Sequence, residues 1–247
     1  MTGFEYILIP LIAFLAYLLK AMTGFGPAIV LISFGSLFLP AYSIVATSAI
    51  LDIIAGIVLL KVDWKDGSYR YWLPLAVAIV IGTVAGAFLI KIVSPEGFHF
   101  ILSIAIIVIG LWFIFGRTNV EEGKLRCDLP KRCTRGDTGF TFLGGFCGGM
   151  FGISGPPIIW NFGRQFTKRA FRQVLVPVFV VAAVARSGMY SLLGIVDLQV
   201  MKYVAFAVPG LFLGIFIGNR IFFKISEILF GRIVGAILII IGVKHFF

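Results

Sequence analysis

A chain of 247 residues in which AVILMFWYC make up 60%, with 29 glycines besides and only 13% charged residues, carries more apolar side chain than a water-soluble domain can hide. Its mean hydropathy of +1.07 excludes a disordered chain, and 3 cysteines give no disulfide framework. The formal net charge of +10 does not call for nucleic acid, because the Lys and Arg of membrane proteins gather in cytoplasmic loops.

In chain order, apolar blocks fall at 4–19, 27–39, 43–60, 72–90, 98–115, 138–151, 155–163, 171–193, 201–219 and 229–246. Unbroken blocks of this kind are helical, since barrel strands alternate over ~10 residues. Six of them, 43–60, 72–90, 98–115, 171–193, 201–219 and 229–246, are long enough for a spanning helix of about 20 residues. The other four form two short pairs, each joined by a break: Thr23-Gly24-Phe25-Gly26-Pro27 in the first, Gly152-Ile153-Ser154-Gly155-Pro156-Pro157 in the second. Glu5 precedes the first block and no basic residue stands before Lys20, so a cleavable signal is not expected. Trp64, Tyr69, Tyr71 and Trp72 read as an interfacial belt.

The breaks sit at matching places in an internal repeat. Gly26-Pro27 aligns with Gly155-Pro156, Gly82 and Gly86 with Gly210 and Gly214, and Gly110 with Gly242, at a nearly constant offset. The expected architecture is an all-α polytopic membrane protein of two inverted repeats, each a broken or re-entrant helix pair plus three spanning helices. The first repeat covers 1–115, a charged cytoplasmic linker 116–136, and the second repeat 137–247. Charge fixes the threading. If each broken pair returns to its own side, Lys61, Lys65, Arg70, Arg117, Lys124, Arg126, Lys131, Arg132, Arg135, Arg164, Lys168, Arg169, Arg220 and Lys224 share one face. The other face then keeps only Lys91, Lys202 and Lys244, the asymmetry expected of a cytoplasmic side, with both termini outside.

Inverted repeats with interrupted helices at corresponding positions point to a secondary transporter. Backbone that leaves the helix inside a bilayer needs a cavity or protein partners. Pro27 and Pro156 stand where second half-helices begin, so both half-helices direct positive dipole ends at the breaks. Two such ends near mid-membrane make an anion site, with Thr23 and Ser154 as hydroxyl donors and Gly24, Gly26 and Gly155 as close-approach backbone. The run Gly144-Gly145-x-x-Gly148-Gly149-x-x-Gly152 is no phosphate loop, lacking a Lys-Ser/Thr; its spacing of four suits helix contact. Ionisable groups at membrane depth are Lys20, Asp52 and Arg186, with Arg232 able to snorkel to the inner face. Lys20 or Arg186 would supply net positive charge to the anion. Asp52 is either a coupling-proton carrier or the permanent ion-pair partner of one of them. Asn161 and Asn219 are polar at depth and could bond a neighbouring helix. Cys127 and Cys133 share a loop with no neighbouring His, and His99 and His245 have no second ligand, so neither a metal nor another cofactor is expected. No catalytic motif is present.

GGFCGGMFGISGPPIIWNF at 144–162, with its weaker echo AMTGFGPAIV at 21–30, resembles the signature of the sulfite exporter TauE/SafE family. The resemblance implies permeation of a small sulfur-containing anion such as sulfite, thiosulfate, a sulfonate or sulfoacetate, from a bacterial cell membrane. Members commonly carry Gly-Gly where this chain has Ser154-Gly155-Pro156-Pro157. The expected partners are therefore that anion, the lipid bilayer and, for coupled transport, a proton; a homodimer is compatible with this. The competing readings are a passive anion channel and a non-transporting membrane assembly subunit.

Overall fold

The computed structural model describes residues 5–23, 26–63, 69–115, 133–162 and 168–221, with Ile239 and Val243 beyond them. All but those two residues of the expected final block 229–246, Arg232 included, and most of the linker therefore lie outside the described residues, as do Gly24 and Cys127. The elements are α1 (Glu5–Thr23), α2 (Pro27–Gly35), α3 (Ala41–Asp63), α4 (Tyr69–Ile92), α5 (Pro95–Phe115), α6 (Arg135–Phe151), α7 (Gly155–Phe162), α8 (Lys168–Leu192) and α9 (Leu198–Ile221). Among the described residues all regular structure is helical.

By length and composition, Ala41–Leu60, Tyr71–Ile90, Gln173–Leu192 and Leu198–Arg220 can each cross a membrane, and Ile7–Ala21 and Glu96–Leu111 are shorter apolar helices. Their outer faces are apolar too. Leu73, Val77, Ile81, Val84 and Phe88 run down one side of α4, and Phe100, Ile104, Val108 and Leu111 down one side of α5, all exposed. Stripes of this length suit hydrocarbon rather than water.

Both interrupted pairs end and restart where the sequence placed its breaks. Gly26 has φ +82° and precedes α2, whose first residue Pro27 needs no N–H partner. At the other break Gly152, at φ +78°, caps α6 and bonds its N–H back to the Gly148 carbonyl. The left-handed region favours glycine at both points. The start of α6 is held by a capping box: the Thr134 hydroxyl accepts from the Asp137 N–H at 3.2 Å, and the Asp137 carboxylate accepts from the Thr134 N–H at 2.9 Å.

Glycines bring these half-helices against distant spanning helices. A Cβ on Gly82 or Gly86 of α4 would collide with the carbonyls of Phe142 and Phe146 in α6; one on Gly145 or Gly149 of α6 would strike those of Ile79 and Thr83. On the opposite side Gly210 and Gly214 of α9 meet the Pro10 and Phe14 carbonyls of α1 in the same manner. Backbone-to-backbone packing of this closeness substitutes for the hydrophobic effect, which gives little between helices in lipid. Gly144 and Gly148 face α7 and the break, meeting Ile158 and Ser154. Tyr71, at the start of a candidate span, is buried at 1% exposure within the protein, and its hydroxyl donates to Asp137.

Candidate functional site

The two breaks and the three charged side chains meet. A cavity of about 50 Å³ is bordered by Gly26, Pro27, Ala28 and Ile29 at the start of α2, and by Gly148, Gly152, Ile153, Ser154 and Gly155 at the α6–α7 break. Lys20 of α1, Asp52 of α3, Thr83 of α4 and Phe179, Ala182, Ala183 and Arg186 of α8 complete its wall. At ~10–15 Å³ per water-sized group, it holds a few heavy atoms. Pro156 stands one residue beyond the lining, and the Thr23 side chain is outside the described residues.

Asp52 is the electrostatic centre. Its Oδ1 accepts from Lys20 Nζ at 2.8 Å and its Oδ2 from Arg186 Nη2 at 2.9 Å, while the Tyr17 hydroxyl donates to Oδ1 at 3.3 Å. The carboxylate thus bridges both cations, where the sequence paired it with one. All three side chains are largely withdrawn from solvent, at 7%, 14% and 5% exposure for Lys20, Asp52 and Arg186. Buried charges at such a distance from water persist only when paired.

Arg186 also closes the second break. Its Nη1 donates to the Gly152 carbonyl at 2.8 Å and lies 3.4 Å from that of Gly148, and one turn on, Tyr190 donates to the Gly149 carbonyl at 2.6 Å. These are the terminal carbonyls of α6, where a helix lacks internal donors and carries its negative dipole end. A cation there is electrostatically apt. Arg186 Nε, by contrast, has no hydrogen-bond partner among the described residues.

The helix starts offer fewer donors than their count of termini implies. Proline occupies position 27 in α2 and positions 156 and 157 in α7, and each removes one N–H from a first turn. Side-chain donors must therefore carry more of any anion's hydrogen bonding.

Sequence reasoning missed Thr83, Tyr17 and Phe179; the first is the single hydroxyl inside the apolar run 76–90, between Gly82 and Gly86. It also missed Asp137, 2% exposed, which accepts from Asn161 Nδ2 at 2.7 Å and Tyr71 at 3.2 Å, so that one carboxylate ties α4, α6 and α7 together. Asn161 does bond a neighbouring helix, and the Thr134-x-x-Asp137 capping pattern was the available signal. Beside it, burial and then the Asp137 carboxylate push the Cys133 thiol up to about 11.

Apolar helices around a buried, net-cationic cavity fed by two helix breaks define a multi-pass membrane protein of transporter type. The chain belongs to the sulfite exporter TauE/SafE family, whose model matches residues 9–245. It is also similar to a protein of Cupriavidus necator described as a probable sulfite/organosulfonate exporter TauE, at 25% identity over 96% of this chain and 93% of that one. No solved structure matches the chain.

Proposed function

We propose that the chain is a secondary transporter that carries a small sulfur-containing oxyanion across the bacterial cell membrane, binding it in the cavity between the two breaks. The observation that carries this reading is the convergence of Lys20, Asp52, Arg186 and the first turns of α2 and α7 on that one cavity. With all three side chains ionised they sum to one positive charge, and each helix start contributes about half a charge more. A compact anion of one or two charges matches that field. The name borne by the Cupriavidus relative supports sulfite or an organosulfonate as the class and export as the direction.

The architecture proposed with it is two inverted repeats, 1–115 and 137–247, with the 116–136 linker cytoplasmic and both termini outside. Matched packing supports this: α1 lies against α9 through Gly210 and Gly214 as α6 lies against α4 through Gly82 and Gly86. Export of an anion from a cell negative inside runs downhill by about 2.3 kcal/mol per charge per 100 mV and needs no coupling. For uptake, Asp52 is the residue that would carry the accompanying proton, replacing the positive charge that the anion draws from Lys20 and Arg186.

Thermal unfolding of the purified protein tests the site. Sulfite and methanesulfonate should raise Tm with saturating concentration dependence, as a ligand of the folded state does. Lys20→Gln should remove most of that response while Asp52 keeps Arg186 as its partner. A wild-type Tm unmoved by any sulfur oxyanion refutes the reading.

A further inference from the structure

We infer that the Thr83 hydroxyl is a ligand for one oxygen of the bound anion, and that it sets a preference for a three-oxygen sulfur head over carboxylates and halides. This rests on the anion-binding reading above and names a residue that reading does not use. Thr83 is 1% exposed, borders the cavity, and its Oγ1 has no hydrogen-bond partner among the described residues.

An unpartnered hydroxyl in a helix is unusual, because the carbonyl three or four residues back is always within reach. Four other buried hydroxyls take that bond: Thr47 to Ser43 at 2.7 Å, Thr141 to Asp137 at 2.6 Å, Ser48 to Val45 at 2.7 Å and Ser36 to Ile32 at 2.6 Å; Ser33 and Ser187 are unpartnered like Thr83 among the described residues, but neither borders the cavity. The corresponding carbonyl for Thr83 is that of Ile79, against which Gly145 of α6 is packed. A buried polar atom without a partner destabilises the fold, so its presence at a cavity wall calls for a ligand.

Among the residues that border this cavity, Arg186 of α8 carries another unpartnered donor, its Nε. With the helix starts of α2 and α7, the cavity offers donors from three directions. A pyramidal –SO₃ group presents an oxygen to each; a carboxylate leaves one unused, and a halide has no directional acceptors. The hydroxyl also distinguishes the halves. Aligning Gly82 with Gly210 puts the buried apolar Leu211 at the position matching Thr83.

Thr83→Val keeps the shape and removes the hydroxyl, and isothermal titration of the purified variant with sulfite, methanesulfonate, acetate and chloride reads the result. A lost hydrogen bond to a charged oxygen should raise Kd for sulfite and methanesulfonate by roughly 10- to 100-fold. Acetate and chloride should shift far less. Because the hydroxyl has no partner to lose among the described residues, Tm without anion should hold or rise, and Thr83→Ser should restore affinity for the sulfur oxyanions. Wild-type affinity in Thr83→Val overturns the assignment and leaves the transport reading standing. Equal weakening for all four anions with a lowered Tm also overturns it, as a packing effect. If wild-type protein binds neither sulfite nor methanesulfonate, the transport reading falls and Thr83 with it.

Discussion

Replacing Asp52 by Asn removes one charge from a group of three and leaves the shape nearly unchanged. The carboxylate holds Lys20 at 2.8 Å and Arg186 at 2.9 Å, and an amide can accept from one of them while its NH₂ faces the other. Removing one member of a buried ion pair costs about 3–5 kcal/mol, because the remaining charge stays buried. On the scale of domains of this size, that is a fall in Tm on the order of 10 °C. Anion binding should change in the opposite sense. A charge about 4 Å from a bound anion repels it by up to ~4 kcal/mol at an effective dielectric of 20, and the variant lacks that repulsion. Thermal unfolding in detergent, with sulfite added at matched ionic strength, should show a lowered Tm and a larger sulfite-dependent rise than in wild type. Neutralising Lys20 as well should recover part of the lost stability, a coupling that a double-mutant cycle measures. A Tm within about 2 °C of wild type would show that the triad does not hold the bundle together. A folded variant whose sulfite response is smaller than wild type would show that Asp52 does not compete with the anion. If the variant exchanges anion down a gradient but loses accumulation driven by pH, the coupling proposal for Asp52 stands; retained pH-driven accumulation removes it.

The remaining predictions use other parts of the bundle. Gly86→Ala places a methyl against the Phe146 carbonyl, which is backbone and cannot turn aside, and should cost about 1–3 kcal/mol; exposed Gly188 has nothing within 4 Å, so Gly188→Ala should be neutral or stabilising by up to ~1 kcal/mol. Equal effects at the two sites, read by thermal unfolding, would remove the glycine contacts as the reason for the α4–α6 approach. The Cys133 thiol, raised to about 11 by burial and then by Asp137, should react with maleimide about tenfold faster per pH unit between 7 and 9. A plateau by pH 9 contradicts that burial. On the proposed threading, an impermeant maleimide should leave Cys133 and Cys127 unlabelled in intact cells and label them after permeabilisation; labelling of intact cells reverses the topology.

Local chemistry explains which parts of the site were legible in the sequence. Gly26, Pro27, Gly152 and Pro156 declare themselves because proline restricts the chain where it stands and glycine permits the left-handed backbone that Gly26 and Gly152 adopt. Lys20, Asp52 and Arg186 are conspicuous because a charge in an apolar helix costs several kcal/mol unless something holds it. Their mutual geometry is not local. Asp52 is 32 residues from Lys20 and 134 from Arg186, and its bridging of both follows from how α1, α3 and α8 pack. Thr83 and Tyr17 were invisible for the same reason, since a hydroxyl in an apolar helix is ordinary until its carbonyl partner is taken or a carboxylate is brought to it. The bond of Tyr71 to Asp137 was not legible, because a tyrosine at a span end and a tyrosine bonded to a buried acid look alike in one dimension; Asp137 sits in a first turn where an acid is expected for capping alone.

Sulfite flux through reconstituted protein tests the central claim most directly. Proteoliposomes loaded with sulfite, given an inside-negative potential by a potassium gradient and valinomycin, should release it at a rate that saturates with sulfite concentration. Lys20→Gln protein, reconstituted to the same density, should lose most of that rate. Release no faster than from protein-free liposomes, or equal in Lys20→Gln, would contradict a transport cycle through the Lys20–Asp52–Arg186 cavity.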